Sequence, residues 1–267
     1  MSEYNYARYL QELGAPYQRV QDTKVSLVTL AGRTFSSWMT APQGGLIPST
    51  SIACTNATIG AMGQQNTNTT QYLAQVGVNM AQYGYVMLVD RLVHHGGLSG
   101  IVAGSQATNL PTATIPRGTG SYTGIMAAIE IYGAIGTTTS LVSGSYLNQN
   151  GSVSTFKATT IGTGVFNKVG QMIILPLYDG DTGVQQVNNI ALSVSTATAG
   201  NFGVTLFRPL MTWAIPNIGG QQLVFDAITS NAMQLTAIEN GACLHYIWMT
   251  GPALTGVYQS ALRFIEM

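Results

Sequence analysis

The sequence predicts an all-β protein, a jelly-roll-like β-sandwich preceded by a short helix and a long arm. Three observations support this fold class: short apolar runs with a period of two, turn signals between them, and few stretches with helical periodicity. The 267 residues include 31 Gly and 9 Pro, which supply many turns. Short, regularly spaced strands are typical of a sandwich or jelly roll rather than of alternating βα units.

The clearest strand signals lie in residues 170–210. Apolar runs separated by Gly- and Asn-containing turns predict three consecutive antiparallel strands, the last of which is expected to end at Pro209. Alternation in the second and third strands predicts one shared buried face, because side chains two residues apart point the same way. That predicted face consists of Ile190, Leu192, Val194, Phe202, Val204 and Leu206.

Further strands are predicted on both sides of this segment. Residues 125–135 alternate as a strand, and the turn signal at 148–151 predicts a hairpin. The period is ambiguous between strand and helix over 72–93, and 105–124 is expected to be a long loop. Three more strands are expected after Pro216, which brings the total close to ten.

The N-terminal part predicts a short amphipathic helix over 3–13, followed by an arm with an irregular pattern. Three helical turns are marginal in water, so their apolar face must dock on the sandwich or on a neighbouring subunit. The candidate interface residues are Tyr6, Tyr9, Leu10 and Leu13. The predicted organisation is therefore a helix and arm over 1–71 and a β-sandwich domain over 72–267.

Charge is scarce throughout the chain. Charged residues make up 7% and the formal net charge is zero, so electrostatic repulsion gives little protection against self-association. There is no basic cluster of the kind that binds nucleic acid, no apolar run long enough to cross a membrane and no signal peptide. We expect a protein made in a cytoplasm, with Cys54 and Cys243 as buried, reduced thiols rather than a disulfide.

No motif predicts catalysis, a metal site or a cofactor. Asp90, His95 and Ser99 could form a triad on paper, but the serine lacks a nucleophile elbow. The neighbouring His94 and His95 would point to opposite faces of a strand, and the Asp179–Asp181 turn lacks the remaining ligands of a calcium loop. We therefore expect a protein that is not an enzyme, with no catalytic, metal-binding or cofactor-binding residues.

Several phrases resemble virion structural proteins of tailed bacteriophages, and the resemblance covers roughly residues 85–210. It is carried by 88–92 (LVDRL), 95–100 (HGGLSG), 110–112 (LPT) and 200–206 (GNFGVTL). The resemblance implies first a capsid cement protein, a homotrimer on the capsid exterior that clamps neighbouring major capsid subunits. A tail or portal-proximal component is the second class, and a glycan-binding or enzymatic β-sandwich is the third.

Overall fold

The computed structural model describes residues 19–25, 29–41, 43–63, 69–110, 115, 117, 121–216, 223–226, 235–253 and 256–266. Within these residues the chain is all-β, as predicted, with one 3₁₀ turn at Ser37–Met39. No helix in this part of the chain is long and apolar enough to cross a membrane. The nineteen described strands are β1 (Arg19–Val25), β2 (Thr34–Ser36), β3 (Ile52–Ala53), β4 (Gln71–Met80), β5 (Gly84–Leu98), β6 (Gly104–Ala107), β7 (Met126–Gly133), β8 (Ser140–Ser143), β9 (Ser145–Asn148), β10 (Val153–Thr155), β11 (Thr159–Ile161), β12 (Met172–Ile174), β13 (Val184–Val187), β14 (Asn189–Leu192), β15 (Asn201–Ile215), β16 (Leu223–Asp226), β17 (Thr236–Ile238), β18 (Leu244–Thr250) and β19 (Val257–Glu266).

These strands form four antiparallel sheets. The central sheet has the order β12-β7-β15-β5-β18-β2, with β3 also pairing with β5. A second sheet, which we call the lower sheet, has the order β1-β19-β4-β16, with β17 beside β4. Two smaller sheets, which we call the upper sheets, have the orders β11-β8-β14-β6 and β10-β9-β13.

Two hydrophobic cores are buried against different parts of the central sheet. The upper core contains Leu92 and Val93 of β5 together with side chains from both upper sheets, such as Tyr146 and Ile190. The lower core contains other residues of β5, such as Leu88, and side chains of the lower sheet. Since β5 and β15 are each 15 residues long and contribute to both cores, the two long strands join the upper and lower parts into one sheet system.

The hairpin expected around residues 148–151 is present, and a second pairing continues it. β9 pairs with β10 next to the turn, while β8 and β11 pair farther out in a different sheet. Gly144 lies between β8 and β9, where an added Cβ would be 2.2 Å from the carbonyl oxygen of Asn189. Only glycine fits where the chain passes from one upper sheet to the other.

The expected meander in residues 170–210 is wrong in its pairing. β12 pairs with β7, β14 pairs with β6 and β8, and β15 pairs with β5 and β7, so these strands are not neighbours. Five of the six predicted face residues are nevertheless buried together in the upper core, where the sheets pack face to face. Alternation identifies which side chains are buried, but it does not specify the partner strand.

Two details of that segment also need correction. Val194 is 46% exposed, because β14 ends at Leu192 and the chain turns away from the core. Pro209 does not end a strand: β15 continues to Ile215, and the register with β5 shifts just after the proline. A shift of this kind accommodates a residue that has no N–H for the ladder.

Three segments of the predicted arm belong to the sheets. β1 pairs over its whole length with β19, β2 pairs with β18, and β3 pairs with β5. Residues 19–25 are therefore a regular strand of the lower sheet rather than an extended connection. The predicted helix, with the candidate interface residues Tyr6, Tyr9, Leu10 and Leu13, lies outside the described residues.

Candidate functional site

The most unusual chemistry is a group of buried polar side chains of the central sheet, which we call the inter-core cluster because Arg91 lies along β5 between Leu88 of the lower core and Leu92 of the upper core. β5 contributes Arg91 and His94, β7 contributes Glu130 and Tyr132, and β15 contributes Thr205. Four of these residues have no exposed surface, and Tyr132 is 4% exposed. Charged side chains are rarely buried to this extent unless they are paired.

An ion pair between Arg91 and Glu130 is the centre of this cluster. One guanidinium nitrogen of Arg91 lies 2.7 Å from Glu130 Oε2 and donates to Oε1 at 2.8 Å. Their strands lie on either side of β15, so the two side chains span about 10 Å across the central strand. The small Thr205 of β15 accepts from Arg91 at 3.2 Å and donates to Glu130 at 2.6 Å.

Two aromatic side chains also contact this ion pair. The Tyr132 hydroxyl donates to Glu130 at 3.0 Å, and the Trp38 ring lies 4.0 Å from the Arg91 guanidinium carbon, a cation–π distance. Burial disfavours the charge on Arg91, but the Glu130 carboxylate holds the pKa of Arg91 above its usual value. The cluster therefore contains a charged but neutralised pair.

His94 and His245 surround the same guanidinium as neutral rings. Arg91 donates to His94 Nδ1 at 3.0 Å, so that nitrogen is an acceptor and carries no proton. Burial and the Arg91 charge lower the pKa of His94 to about 2. The same two causes hold the pKa of His245 well below its usual value. Neither ring nitrogen of His245 has a hydrogen-bond partner among the described residues.

A second buried ion pair joins Asp90 to Arg117. The guanidinium of Arg117 binds the Asp90 carboxylate with two hydrogen bonds of 2.7 and 2.8 Å. Asp90 also accepts from the backbone N–H of Cys243 at 2.8 Å. Burial raises the pKa of Asp90, and the Arg117 ion pair offsets part of that effect. Asp90 therefore connects β5 to the start of β18 and to residue 117.

The structure does not assemble the triad written from sequence. Both carboxylate oxygens of Asp90 are bonded to Arg117, and the Ser99 hydroxyl accepts from the backbone N–H of Ile101 at 3.5 Å. His95 Nδ1 has no partner among the described residues. Within the same residues, no three His, Cys, Asp or Glu side chains are grouped so that they could hold a metal ion.

The Asp179–Asp181 segment is a turn anchored by side chains of the upper sheets. Asp181 accepts from the Tyr146 hydroxyl at 2.6 Å and from the Asn148 amide at 2.7 Å. Hydrogen bonds from Ser154, Tyr146 and Asn148 lower the pKa of Asp181. Asp179 instead forms an exposed ion pair with Lys157. The two carboxylates therefore have separate partners.

A shallow groove of about 380 Å³ lies on the lower sheet, far from the inter-core cluster in the fold. Its lining side chains carry no charge and no aromatic ring: Gln21, Thr23, Asn79, Gln259, Ser260 and Ala261, with Gly77. Such a lining offers amides and hydroxyls but no group that commonly performs acid–base chemistry. The groove and the buried charges are therefore separate features.

Large apolar side chains are exposed at several places among the described residues. Tyr85 and Met249 are register partners on neighbouring strands with exposures of 53% and 37%, and Tyr83 nearby is 46% exposed. Elsewhere, Ile101 and Leu141 are each 51% exposed. The group of Tyr83, Tyr85 and Met249, which we call the Tyr85 patch, is apolar surface of the kind that commonly marks contacts with other proteins.

Comparisons with known proteins give no family assignment. No protein-family model matches the chain, and no curated protein matches its sequence. Among solved structures, the VP2 subviral particle of infectious bursal disease virus has a TM-score of 0.19 and 7% identity, covering 94% of this chain and 81% of that chain. A structure of the Gt strain of infectious bursal disease virus has a TM-score of 0.15 and 8% identity, covering 94% of this chain and 82% of that chain. TM-scores this low establish no common fold.

Sequence reasoning noted the residues of the cluster without connecting them. Glu130 is the lone carboxylate between Arg91 and Tyr178, and it stands in the apolar strand β7. A single charge in a strand that is otherwise apolar indicates a buried partner. That signal could have identified Glu130, but the pairing with Arg91 requires knowledge that β15 lies between their strands.

Proposed function

We propose that this chain is a structural protein of a tailed-phage virion, and specifically a capsid cement protein. In this role, a homo-oligomer, a trimer in its simplest form, binds neighbouring major capsid subunits on the capsid exterior and stabilises the head. The observation that carries the proposal is the exposed apolar group of Tyr83, Tyr85 and Met249 in a chain with only 7% charged residues. Surfaces of this composition suit contact with other subunits.

The interior supports a role that depends on rigidity. The buried ion pairs Arg91–Glu130 and Arg117–Asp90 tie β7 and residue 117 to β5. Paired buried charges commonly specify a unique geometry at some cost in stability. A protein that stabilises a shell must itself keep its shape under load. The phrases quoted from residues 85–210 add the likeness to phage virion proteins.

A tail or portal-proximal component is the second candidate. Exposed apolar side chains such as Tyr85 and Met249 would also suit contacts between the subunits of a ring. The two roles differ in copy number. The copy number of a cement protein follows the number of shell subunits. A connector is instead present in the few copies of a small ring, such as a sixfold or twelvefold one. The number of chains per purified particle distinguishes the two.

The direct test is binding to phage shells that lack the protein. The intact chain is expected to bind in a saturable way and to raise the temperature at which the shells break. Tyr85→Glu is expected to weaken binding, because it places a charge among the exposed apolar side chains of Tyr83, Tyr85 and Met249. Tyr178→Glu is the matched control, since Tyr178 is similarly exposed, at 60%, but lies in the loop before Asp179.

Deletion of residues 1–16 tests the predicted interface helix. We expect weaker shell binding with an unchanged β-type circular dichroism spectrum, because the removed segment precedes β1. Full binding and full heat stabilisation by the truncated chain would exclude the helix as the clamp. Absence of any shell binding by the intact chain would reject the cement role.

A further inference from the structure

Cys54 and Cys243 are far apart in sequence but meet beside the same two residues of β5. The backbone N–H of Cys54 donates to the Leu92 carbonyl at 2.9 Å, and the Cys243 carbonyl accepts from the Arg91 N–H at 2.9 Å. β3 and β18 both pair antiparallel with β5, so they run in the same direction along it. Cys54 directly follows the end of β3, and Cys243 directly precedes the start of β18. The two cysteines therefore occupy adjacent places along one strand edge.

Their side chains share one enclosed environment. Both cysteines have no exposed surface, and they pack together with Trp38 and Tyr132 in one apolar cluster. Both are free thiols, and the two thiols are close enough to hydrogen-bond to each other. A disulfide requires a Cα separation of about 4.4–6.8 Å, and two cysteines that share one side-chain cluster and bond to adjacent residues of β5 are placed to meet it.

We propose that Cys54 and Cys243 form an intramolecular disulfide when the folded protein meets an oxidising medium. Two S–H bonds break and one S–S bond forms, with release of two protons and two electrons. Dissolved oxygen accepts both, giving one hydrogen peroxide for each disulfide. The bond joins the segment that follows β3 to the segment that precedes β18, and it does so whether or not the protein belongs to a virion.

Oxidation of this pair is slow and depends on pH. Only the thiolate reacts, and the hydrogen bond that the Cys243 thiol donates to Cys54, together with burial, raises the pKa of Cys243. Dissolved oxygen is small enough to enter a protein interior, whereas a bulky disulfide such as glutathione requires local opening. The reduced form therefore persists in a cytoplasm, and the oxidised form accumulates after release into an aerated medium.

The test uses the purified full chain in air-saturated buffer with a trace of Cu²⁺ as catalyst. We expect an intact mass lower by two hydrogen atoms, a non-reduced tryptic peptide that contains both cysteines, and monomer mobility on a non-reducing gel. The guanidinium midpoint of unfolding should shift upward and return after reduction. Cys54→Ser and Cys243→Ser should each abolish the shift.

Two controls make failure informative. The unfolded chain under the same conditions shows that the oxidant is competent, so recovery of two free thiols from the folded chain alone would overturn the proposal. An equimolar mixture of the two single variants must not yield the linked peptide. Its appearance there would show that the bond forms between molecules, which also overturns the intramolecular assignment.

Discussion

Arg91 and Glu130 form an ion pair of 2.7 Å across β15, with both side chains fully buried. Removing one partner leaves the other charge buried and uncompensated. We therefore expect Arg91→Met and Glu130→Gln each to lower the free energy of unfolding by about 3–5 kcal/mol. Urea denaturation followed by tryptophan fluorescence measures the loss.

The double variant is the control for this prediction. With Arg91→Met and Glu130→Gln combined, no buried charge of the pair remains unpaired, so the loss should be smaller than the sum of the single losses. Additive losses would mean that the pair is not coupled.

Stability should fall on acidification below about pH 6.5. His94 and His245 are neutral in the folded chain, with the pKa of His94 lowered from 6.5 to about 2, so the unfolded state binds more protons below 6.5. Each such histidine then lowers the free energy of unfolding by about 1.4 kcal/mol for each pH unit below 6.5. Asp90 has the opposite effect on the free energy of unfolding. Its pKa in the folded chain is raised above 3.8, so the folded state binds a proton more readily than the unfolded state does.

Urea midpoints measured between pH 7 and pH 5 test this dependence. His245→Phe should flatten the slope, since a ring that cannot be protonated replaces one that is kept neutral. His95→Gln is the control, because His95 lies partly outside this environment and has a smaller lowering of its pKa. An unchanged slope in His245→Phe would show that His245 does not contribute.

Leu192 and Val194 provide a matched pair for the upper core. Leu192 is 2% exposed and Val194 is 46% exposed, although both follow the same alternation in the sequence. We expect Leu192→Ala to lower the free energy of unfolding by about 2–5 kcal/mol. Val194→Ala should change it by less than about 0.5 kcal/mol. Similar midpoints for the two variants would contradict the burial of Leu192.

Gly44 and Gly45 are adjacent, but they differ in the space that an added side chain would have. A Cβ on Gly45 would lie 2.3 Å from the Trp38 ring, whereas a Cβ on Gly44 would meet nothing within 4 Å. Trp38 is fully buried and its indole N–H donates to the Leu46 carbonyl at 2.9 Å, so the ring cannot move aside easily. We expect Gly45→Ala to cost about 1–3 kcal/mol. Thermal denaturation should show no loss for Gly44→Ala.

The sequence predicted the all-β class because alternation and turn residues are local signals. It identified β7 and the turn between β9 and β10, and it identified five of the six residues proposed for one buried face. Partner choice could not be predicted, because β12, β14 and β15 each pair with strands distant in sequence. The meander that alternation favoured was therefore wrong.

The inter-core cluster failed to emerge from sequence for the same reason. Arg91 and Glu130 come together only because β15 pairs with both of their strands, and Cys54 meets Cys243 only because β3 and β18 share an edge of β5. The sequence contained the chemical groups, and long-range strand order determined which of them are neighbours.

The pairing of β1 with β19 has a consequence for how the protein is made. The first and the last described strands are joined residue by residue, from Arg19 opposite Arg263 to Val25 opposite Val257. During synthesis β1 must remain without this partner until nearly all other strands have been translated. Closing so long a loop is entropically costly, and topologies dominated by distant contacts fold slowly, in about milliseconds to seconds. The nascent chain therefore presents an unpaired strand edge to other nascent chains, and crowded synthesis should favour exchange of β1 between copies.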